Sequence, residues 1–498
     1  VNIGIVGGGI GGMVTALLLQ KEGHQVTIFE KDSKLGGRLA YVERDGYKID
    51  KGPTIILLPD MLKEILNEAG IPEEELEMIQ CNPLYQLHFQ NGQIFTKYAN
   101  MELQKKEIER LYPGNGEGFD RFMRAMKQNF EIGKPNFLDQ AFLSKKDWLN
   151  PKTMGTLLKL RAFRSVSTQL KHYFSDVDLQ TAYALQTIYI GGNPYTTPGI
   201  YSLVSYSEHE HGIYYLKGGY ASLVQVVEKA LVKANVKVQT NAEVTEIVLE
   251  GDLAKGIVVD GIEHPLDSVV LNGDFPVAQK LVGEKKKYEP SAGCLLLYMG
   301  IDGQYDERML HQFYMSKDFS NTMKEVFKEK KLPEDPSYYV FHPSLVDETL
   351  APEGKGVLYV LVPVPSGSEL DWEKEKEAFS QRIIESMEHN GFPELSKRVN
   401  WLEIRTPKEA EAEGLFAGGS FGIAPTLLQS GPFRPQLQPF SYQNVFAVGA
   451  SIHPGGGIPI VLQGAKLLAD HIKTTNPVEK RKEVTFQHEQ SVQSIPRM

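Results

Sequence analysis

A chain of 498 residues, 41% of them hydrophobic, holds about three domains' worth of structure and enough apolar material for a sizeable core. A net charge of −10 argues against nucleic acid as its main partner. Only Cys81 and Cys294 occur, far apart and without metal-ligand spacing, so neither a disulfide framework nor a zinc site is expected, and a reducing, cytoplasmic compartment fits.

No apolar run approaches the roughly 18 residues that span a bilayer, and the first strand begins too early to leave room for a signal peptide. Residues Val1 to Val6 form an apolar run expected to be a buried parallel strand, followed by Gly7, Gly9 and Gly12 in GxGxxG spacing. Gly7 permits the tight turn, Gly9 lets the backbone approach a pyrophosphate, and Gly12 lets the next helix pack closely on the strand. That helix is expected from about Gly11 to Glu22, with its positive end toward the loop. A second strand, Gln25 to Phe29, ends in Glu30, 18 residues beyond Gly12, where a carboxylate accepts hydrogen bonds from an adenosine ribose. A complete strand–turn–helix–strand unit with its acid points to a dinucleotide site. Two further elements follow, Gly36-Gly37-Arg38 and Asp50-Lys51-Gly52-Pro53-Thr54, and a simple nicotinamide dehydrogenase requires neither.

Residues 61–214 are largely helical in pattern, punctuated near 113–116 and 191–194. Within them, residues 144–171 are basic in an otherwise acidic chain, with Lys159, Arg161, Arg164 and Lys171 interleaved with Leu149, Leu157, Leu158 and Phe163. This pattern suits anionic lipid headgroups; a solvated amphipathic helix packed on the core fits it equally. Glu208, His209, Glu210 and His211 form a polar cluster in a segment read as irregular, more in keeping with an exposed loop or a hydrogen-bonded lining than with a metal site. The nucleotide-binding pattern then resumes: a helix through Leu231, a strand over Val236–Thr240, a hairpin around Gly251 and a strand from Ser268 toward Asp274. Residues 286–434 look like a mixed substrate domain. A strand over 444–451 leads to His453-Pro454-Gly455-Gly456-Gly457-Ile458-Pro459, with Pro459 starting a helix to about Ile472. The nucleotide-binding unit is thus expected to be discontinuous, over 1–60, 215–285 and 435–473, and 474–498 to be a polar tail.

The N-terminal motif, Asp50 to Thr54 and the HPGGGIPIV segment together resemble the carotenoid (phytoene) desaturases over essentially the full chain, most closely the 4,4′-diapophytoene (dehydrosqualene) desaturase branch. The finer match lies in Leu185 to Gly191, Leu350 to Lys355, and Ser420 to Ser430 leading into Arg434-Pro435-Gln436. The resemblance implies an α/β fold: a Rossmann-like FAD-binding domain of the amine-oxidase type, a mixed α+β substrate domain and a helical insertion. It implies that Gly37 and Arg38 line the FAD diphosphate, that Gly52, Pro53 and Thr54 belong to the cofactor site, and that Val244 meets the adenine through its main chain. Gly449, Gly457, Ile458 and Pro459 would close the flavin end, the second helix directing its positive end at the N1/O2 edge of a reduced flavin.

The implied activity is FAD-dependent desaturation of a C30 precursor, 4,4′-diapophytoene to diaponeurosporene or diapolycopene, by hydride transfer. One departure bears on this: the last loop is PGGG, as in related terminal-methyl oxygenases, where some desaturases of this branch carry an alanine. Alternatives on the same fold are a terminal-methyl oxygenase, a carotenoid isomerase and a non-enzymatic isoprenoid-binding chaperone. The intact Gly7 to Gly12, Glu30 and Arg38 elements argue against the chaperone. No paired carboxylates or triad stand out, and His453 is better read as a support of its turn than as a proton acceptor, so no catalytic residue is assigned. A C30 polyene lives in membranes, which implies a long apolar tunnel and peripheral association with the inner face of the cell membrane. The electron acceptor is left open.

Overall fold

The computed structural model describes residues 1–475 except positions 144, 149–150, 161 and 368. The expected tail beyond 475, and Leu149 and Arg161 of the basic stretch, lie outside the described residues.

Five short parallel strands make the first sheet: β1 (Asn2–Val6), β2 (Gln25–Phe29), β3 (Lys237–Gln239), β4 (Ser268–Leu271) and β5 (Val445–Ala447), in the order β5-β4-β1-β2-β3. Parallel strands need both faces covered, and Ile3, Ile5, Ile28, Val269 and Val270 are accordingly all buried. Strands from three distant parts of the chain therefore complete one sheet. β1 turns into α1 (Ile10–Lys21), buried on every side from Ile10 to Leu19, as a central helix must be. Three more helices matter below: α2 (Ser202–His211), α3 (Ser222–Lys233) and α4 (Ile458–Thr475). Helix α1 packs against β2, α3 and α4.

The second sheet has seven strands, in the order Val399–Arg405, Gly293–Asp302, Lys355–Val364, Tyr338–Phe341, His311–Tyr314, Tyr85–His88 and Ile94–Lys97. Neighbours are antiparallel except His311–Tyr314 beside Tyr85–His88. Side chains alternate across a strand, so the two faces divide cleanly. Leu295, Leu297, Met299 and Ile301 pack with Phe379, Ile383 and Met387 of the helix Trp372–His389, whereas Cys294, Leu296 and Tyr298 join the main core. Two strands of this sheet, Tyr85–His88 and Ile94–Lys97, come from the stretch read as largely helical. Four residues carry too little period-two signal to stand out beside the helices Met101–Leu111 and Gly116–Gly133.

The basic stretch folds into short helices, Lys145–Trp148, Pro151–Lys159 and Val166–Leu170. Leu157 and Leu160 turn inward onto Phe137, Phe142 and Ala162, while Leu158 and Phe163 are 65% and 49% exposed. Among the described residues no helix is long and apolar enough to cross a membrane.

Candidate active site

Both glycine loops open on one cavity of about 960 Å³, at the upper end of the roughly 300–1,000 Å³ usual for ligand pockets. Gly7, Gly9, Gly11, Glu30, Gly37, Arg38, Gly52, Pro53, Thr54, Val244, Gly449, Gly457, Ile458 and Pro459 all line it; Gly12 does not. Gly12 instead serves packing. A Cβ there would stand 2.6 Å from the Gly7 carbonyl oxygen and 2.6 Å from Asn272 Nδ2.

Gly7 turns the chain at φ +103° and donates its N–H to the Phe29 carbonyl at 2.8 Å. Gly9 then caps α1 with no side chain over the helix end, so the first N–H groups stay open toward the cavity. A Cβ on Gly11 would come within 2.9 Å of Val461 on α4, which shows how closely the starts of the two helices approach. The positive ends of both helices therefore bear on the same space.

Glu30 is tied to the first loop: its carboxylate accepts the Gly8 N–H at 2.6 Å and the Asp32 N–H at 2.9 Å. Gly36 donates its N–H to the Gly8 carbonyl at 2.9 Å, so the second glycine turn is stitched to the first. Beyond it, Arg38 donates to the Ser420 carbonyl and, among the described residues, makes no ion pair with a carboxylate. Its side chain is exposed to the open cavity, and the protein packed around it lowers its pKa by partial desolvation, with Asp274 opposing. Asp50 lies behind the Gly52 turn and accepts the N–H groups of Tyr220 at 2.9 Å and Ala221 at 2.8 Å. Burial pushes its carboxyl up to about 7 against those two bonds.

Sequence reading missed two polar residues just beyond β4. Asn272 donates its amide to the carbonyls of Gly7 at 2.9 Å and Gly9 at 3.2 Å, which holds the first loop. Asp274 accepts the Phe416 N–H at 2.9 Å and the Ser451 hydroxyl at 2.5 Å, which joins the last loop to the substrate side. Their signal was position: the carboxyl ends of parallel strands are where such sheets bind ligands.

The inner face of the second sheet supplies the apolar wall. Leu296, Phe313, Tyr339, Tyr359 and Leu361 line the cavity, joined by Tyr189, whose ring stacks on Phe313 at 5.9 Å. Behind this wall lies a buried polar cluster. Lys97 Nζ meets Glu208 Oε2 at 3.0 Å with both side chains fully buried, and the same oxygen accepts from Tyr85 at 2.7 Å and Gln186 at 3.2 Å. Residues 208–211 are thus the end of α2, not an irregular loop, and Glu208 and His209 are buried. Tertiary pairing with Lys97 makes that possible. Among the described residues no three groups are placed to hold a metal ion. His453 is buried, its Nε2 2.8 Å from both the Phe137 and Gln140 carbonyls, and burial brings its pKa to about 4. It is a neutral strut between the last loop and the segment after Gly133.

The family model for flavin containing amine oxidoreductases matches residues 10–473. The chain is 52% identical over 489 residues to 4,4′-diapolycopen-4-al dehydrogenase of Metabacillus indicus, covering 97% of this chain and 99% of that protein. It is 33% identical over 493 residues to the 4,4′-diaponeurosporene-forming 4,4′-diapophytoene desaturase of Staphylococcus haemolyticus, covering 94% and 98%. The chain belongs to the flavin-containing amine oxidoreductase family, in its carotenoid desaturase branch. It is an oxidoreductase of the carotenoid desaturase type, and its cofactor is FAD. Among solved structures, an oxidoreductase from Methanosarcina mazei matches with a TM-score of 0.62 at 16% identity over 94% of this chain and all of that one. Putrescine oxidase matches with a TM-score of 0.62 at 15% identity over 95% and 98%. At such identities these two establish the fold alone. The residues present suit FAD: two open helix ends, an accessible arginine without a carboxylate in ion-pair contact among the described residues and an apolar wall share one cavity.

Proposed function

We propose that this protein oxidises the terminal group of a C30 diapocarotenoid, taking a terminal aldehyde to the acid. The observation that carries this reading is the full-length identity of 52% with a diapolycopen-4-al dehydrogenase, against 32–33% with diapophytoene desaturases. The PGGG sequence at 454–457 agrees with it. From sequence, desaturation stood ahead of a terminal-methyl oxygenase; here oxidation at the chain end stands ahead of desaturation, with the terminal aldehyde rather than the methyl group as the substrate.

Bound FAD would supply the two-electron sink for a hydride lost from the hydrated terminal carbon, with the hydroxyl proton released to solvent and an external electron acceptor restoring the oxidised cofactor. The chain's own residues bind and orient. Gly7, Gly9 and Gly11 would present main chain to the diphosphate, and Gly37 and Arg38 would flank it, Arg38 as its countercharge. Glu30 takes the ribose with its remaining lone pairs, Val244 the adenine through its main chain. Gly52, Pro53 and Thr54 would border the flavin, and Gly449, Gly457, Ile458 and Pro459 would hold it near the positive end of α4, which would favour the negative charge of its reduced form. These elements belong to a discontinuous FAD domain over 1–60, 215–285 and 435–473, with 61–214 and 286–434 serving the substrate. The aromatic wall of Tyr189, Phe313 and Tyr339 lies along the polyene and keeps water from it.

Supply from the inner face of the cell membrane fits the basic stretch. Leu158, Lys159, Phe163 and Arg164 are exposed together, while their neighbours Leu157 and Ala162 line the cavity.

The test incubates FAD-loaded protein with 4,4′-diapolycopen-4-al and, separately, with 4,4′-diapophytoene in liposomes, followed by mass analysis of the extracted pigment. Gain of one oxygen by the aldehyde, with the hydrocarbon unchanged, is the expected result. Loss of two hydrogens per step from diapophytoene, with the aldehyde untouched, would restore the desaturase reading, which the similarity of Leu185 to Gly191 to that branch favours.

A further inference from the structure

One residue ties the second sheet to the cofactor loops across the cavity. Glu413, just after the helix Pro407–Ala412, accepts from Lys51 Nζ at 2.6 Å through Oε1 and from Arg405 Nη2 at 2.7 Å and Nε at 3.2 Å through Oε2. Its carbonyl accepts from Lys31 Nζ at 3.2 Å. Arg405 ends a strand of the second sheet, whereas Lys31 and Lys51 directly follow Glu30 and Asp50. All four residues line the cavity, together with Gly414 and Leu415.

The segment around Glu413 is held by polar contacts and not by the core. None of residues 411–417 is buried, although Ala410 before them and Gly418 after them are. Its other tie to the first sheet is the Phe416 N–H, bonded to Asp274 at 2.9 Å. Gly414 turns the chain at φ +98°, and a Cβ there would stand 3.4 Å from Lys31 Nζ, so this turn lies against the loop after Glu30. The Lys51 and Glu413 side chains are 29% and 40% exposed, which leaves their pair open to screening by salt. Segments with few buried apolar contacts are the ones that open locally while the rest of a fold stays intact.

We infer that residues 411–417 form a strap that opens for exchange of FAD, with Glu413 as its clasp. The clasp sets how fast the cofactor enters and leaves, not how tightly it is held. This rests on the placement of the ribose at Glu30 and the diphosphate at Arg38, and it holds whichever oxidation the enzyme performs. Because the clasp joins protein to protein, loosening it eases passage in both directions. A residue that only touched the cofactor would act on release alone.

The experiment follows FAD uptake by stopped-flow flavin fluorescence and FAD release by dilution into a scavenger of the free cofactor. It compares wild type, Lys51→Met, Glu413→Gln and the control Lys397→Met, which loses an exposed pair with Glu394. Lys51→Met removes a cation from the cavity and Glu413→Gln an anion, so electrostatic attraction for FAD changes in opposite senses. The strap predicts instead that both variants take up and release FAD faster, each by about threefold, with Kd within about twofold of wild type and the control unmoved. Raising KCl from about 0.05 to about 0.5 M should speed release from wild type and leave that from Glu413→Gln nearly flat. Slower uptake by Lys51→Met, faster release with unchanged uptake, or unchanged rates in both variants overturns the inference. Arg38→Met tests the diphosphate placement separately: faster release without faster uptake supports it, and FAD binding as in wild type refutes it, so the two failures are told apart.

Discussion

Gly9 and Gly12 stand three residues apart in one motif, yet the structure assigns them different duties, and alanine at each position separates these. At Gly12 the new Cβ would meet the Gly7 carbonyl oxygen and Asn272 Nδ2, each at 2.6 Å, well inside ordinary contact. Neither can step aside, because Gly7 O is main chain and the Asn272 amide is already bonded to the Gly7 and Gly9 carbonyls. Helix α1 must move off the sheet, an overpacking cost of about 1–3 kcal/mol that appears without any ligand. At Gly9 the nearest atom to the new Cβ is Asn272 Nδ2 at 3.3 Å, and φ is −69°, open to any residue. The apoprotein should lose no more than about 1 kcal/mol there, as for alanine in place of a preferred N-cap. The methyl group would instead stand between the loop and the diphosphate. FAD affinity should fall at least tenfold, or about 1.4 kcal/mol. Urea unfolding of the apoproteins and flavin-fluorescence titration give the two numbers. Gly155→Ala is the control, since its Cβ meets nothing in the helix Pro151–Lys159; it should be neutral or stabilising by up to about 1 kcal/mol. An apo Gly12→Ala as stable as wild type, or a Gly9→Ala that binds FAD normally, would refute the division of labour.

Lys97→Met should destabilise by about 3–5 kcal/mol, because it strands Glu208 without its cation in a fully buried cluster; Lys97→Met with Glu208→Gln should recover part of this. A double-mutant cycle in urea reads the coupling, and strict additivity would show that the pair contributes nothing. Asp50 has its folded pKa raised from 3.8 to about 7, so its contribution to stability is full below pH 3.8 and lost as pH rises through about 7. The urea midpoint of wild-type apoprotein should therefore fall between pH 6 and 8, and Asp50→Asn should flatten that slope. Replacing Lys159 and Arg164 by Glu should abolish co-sedimentation with vesicles containing anionic lipid while leaving turnover in detergent intact; unchanged sedimentation would remove that surface as the docking face.

The cofactor loops were legible because their requirements fall on single residues. Gly7, Gly37, Gly449 and Gly457 adopt positive φ angles that favour glycine, so conformation is written directly into the letters. Helix starts followed for the same reason: Gly11 and Pro459 were expected as first residues, against Ile10 and Ile458 observed. What stayed hidden depends on pairing at long range. Lys97 ends a four-residue strand and Glu208 sits in an alternating Glu-His run, 111 residues away. Each looks solvated alone, and only their meeting inside the core makes either burial tolerable. Phe313, Tyr339 and Tyr359 likewise share a face only through strand register, Phe313 opposite Tyr339 and Tyr339 opposite Leu361.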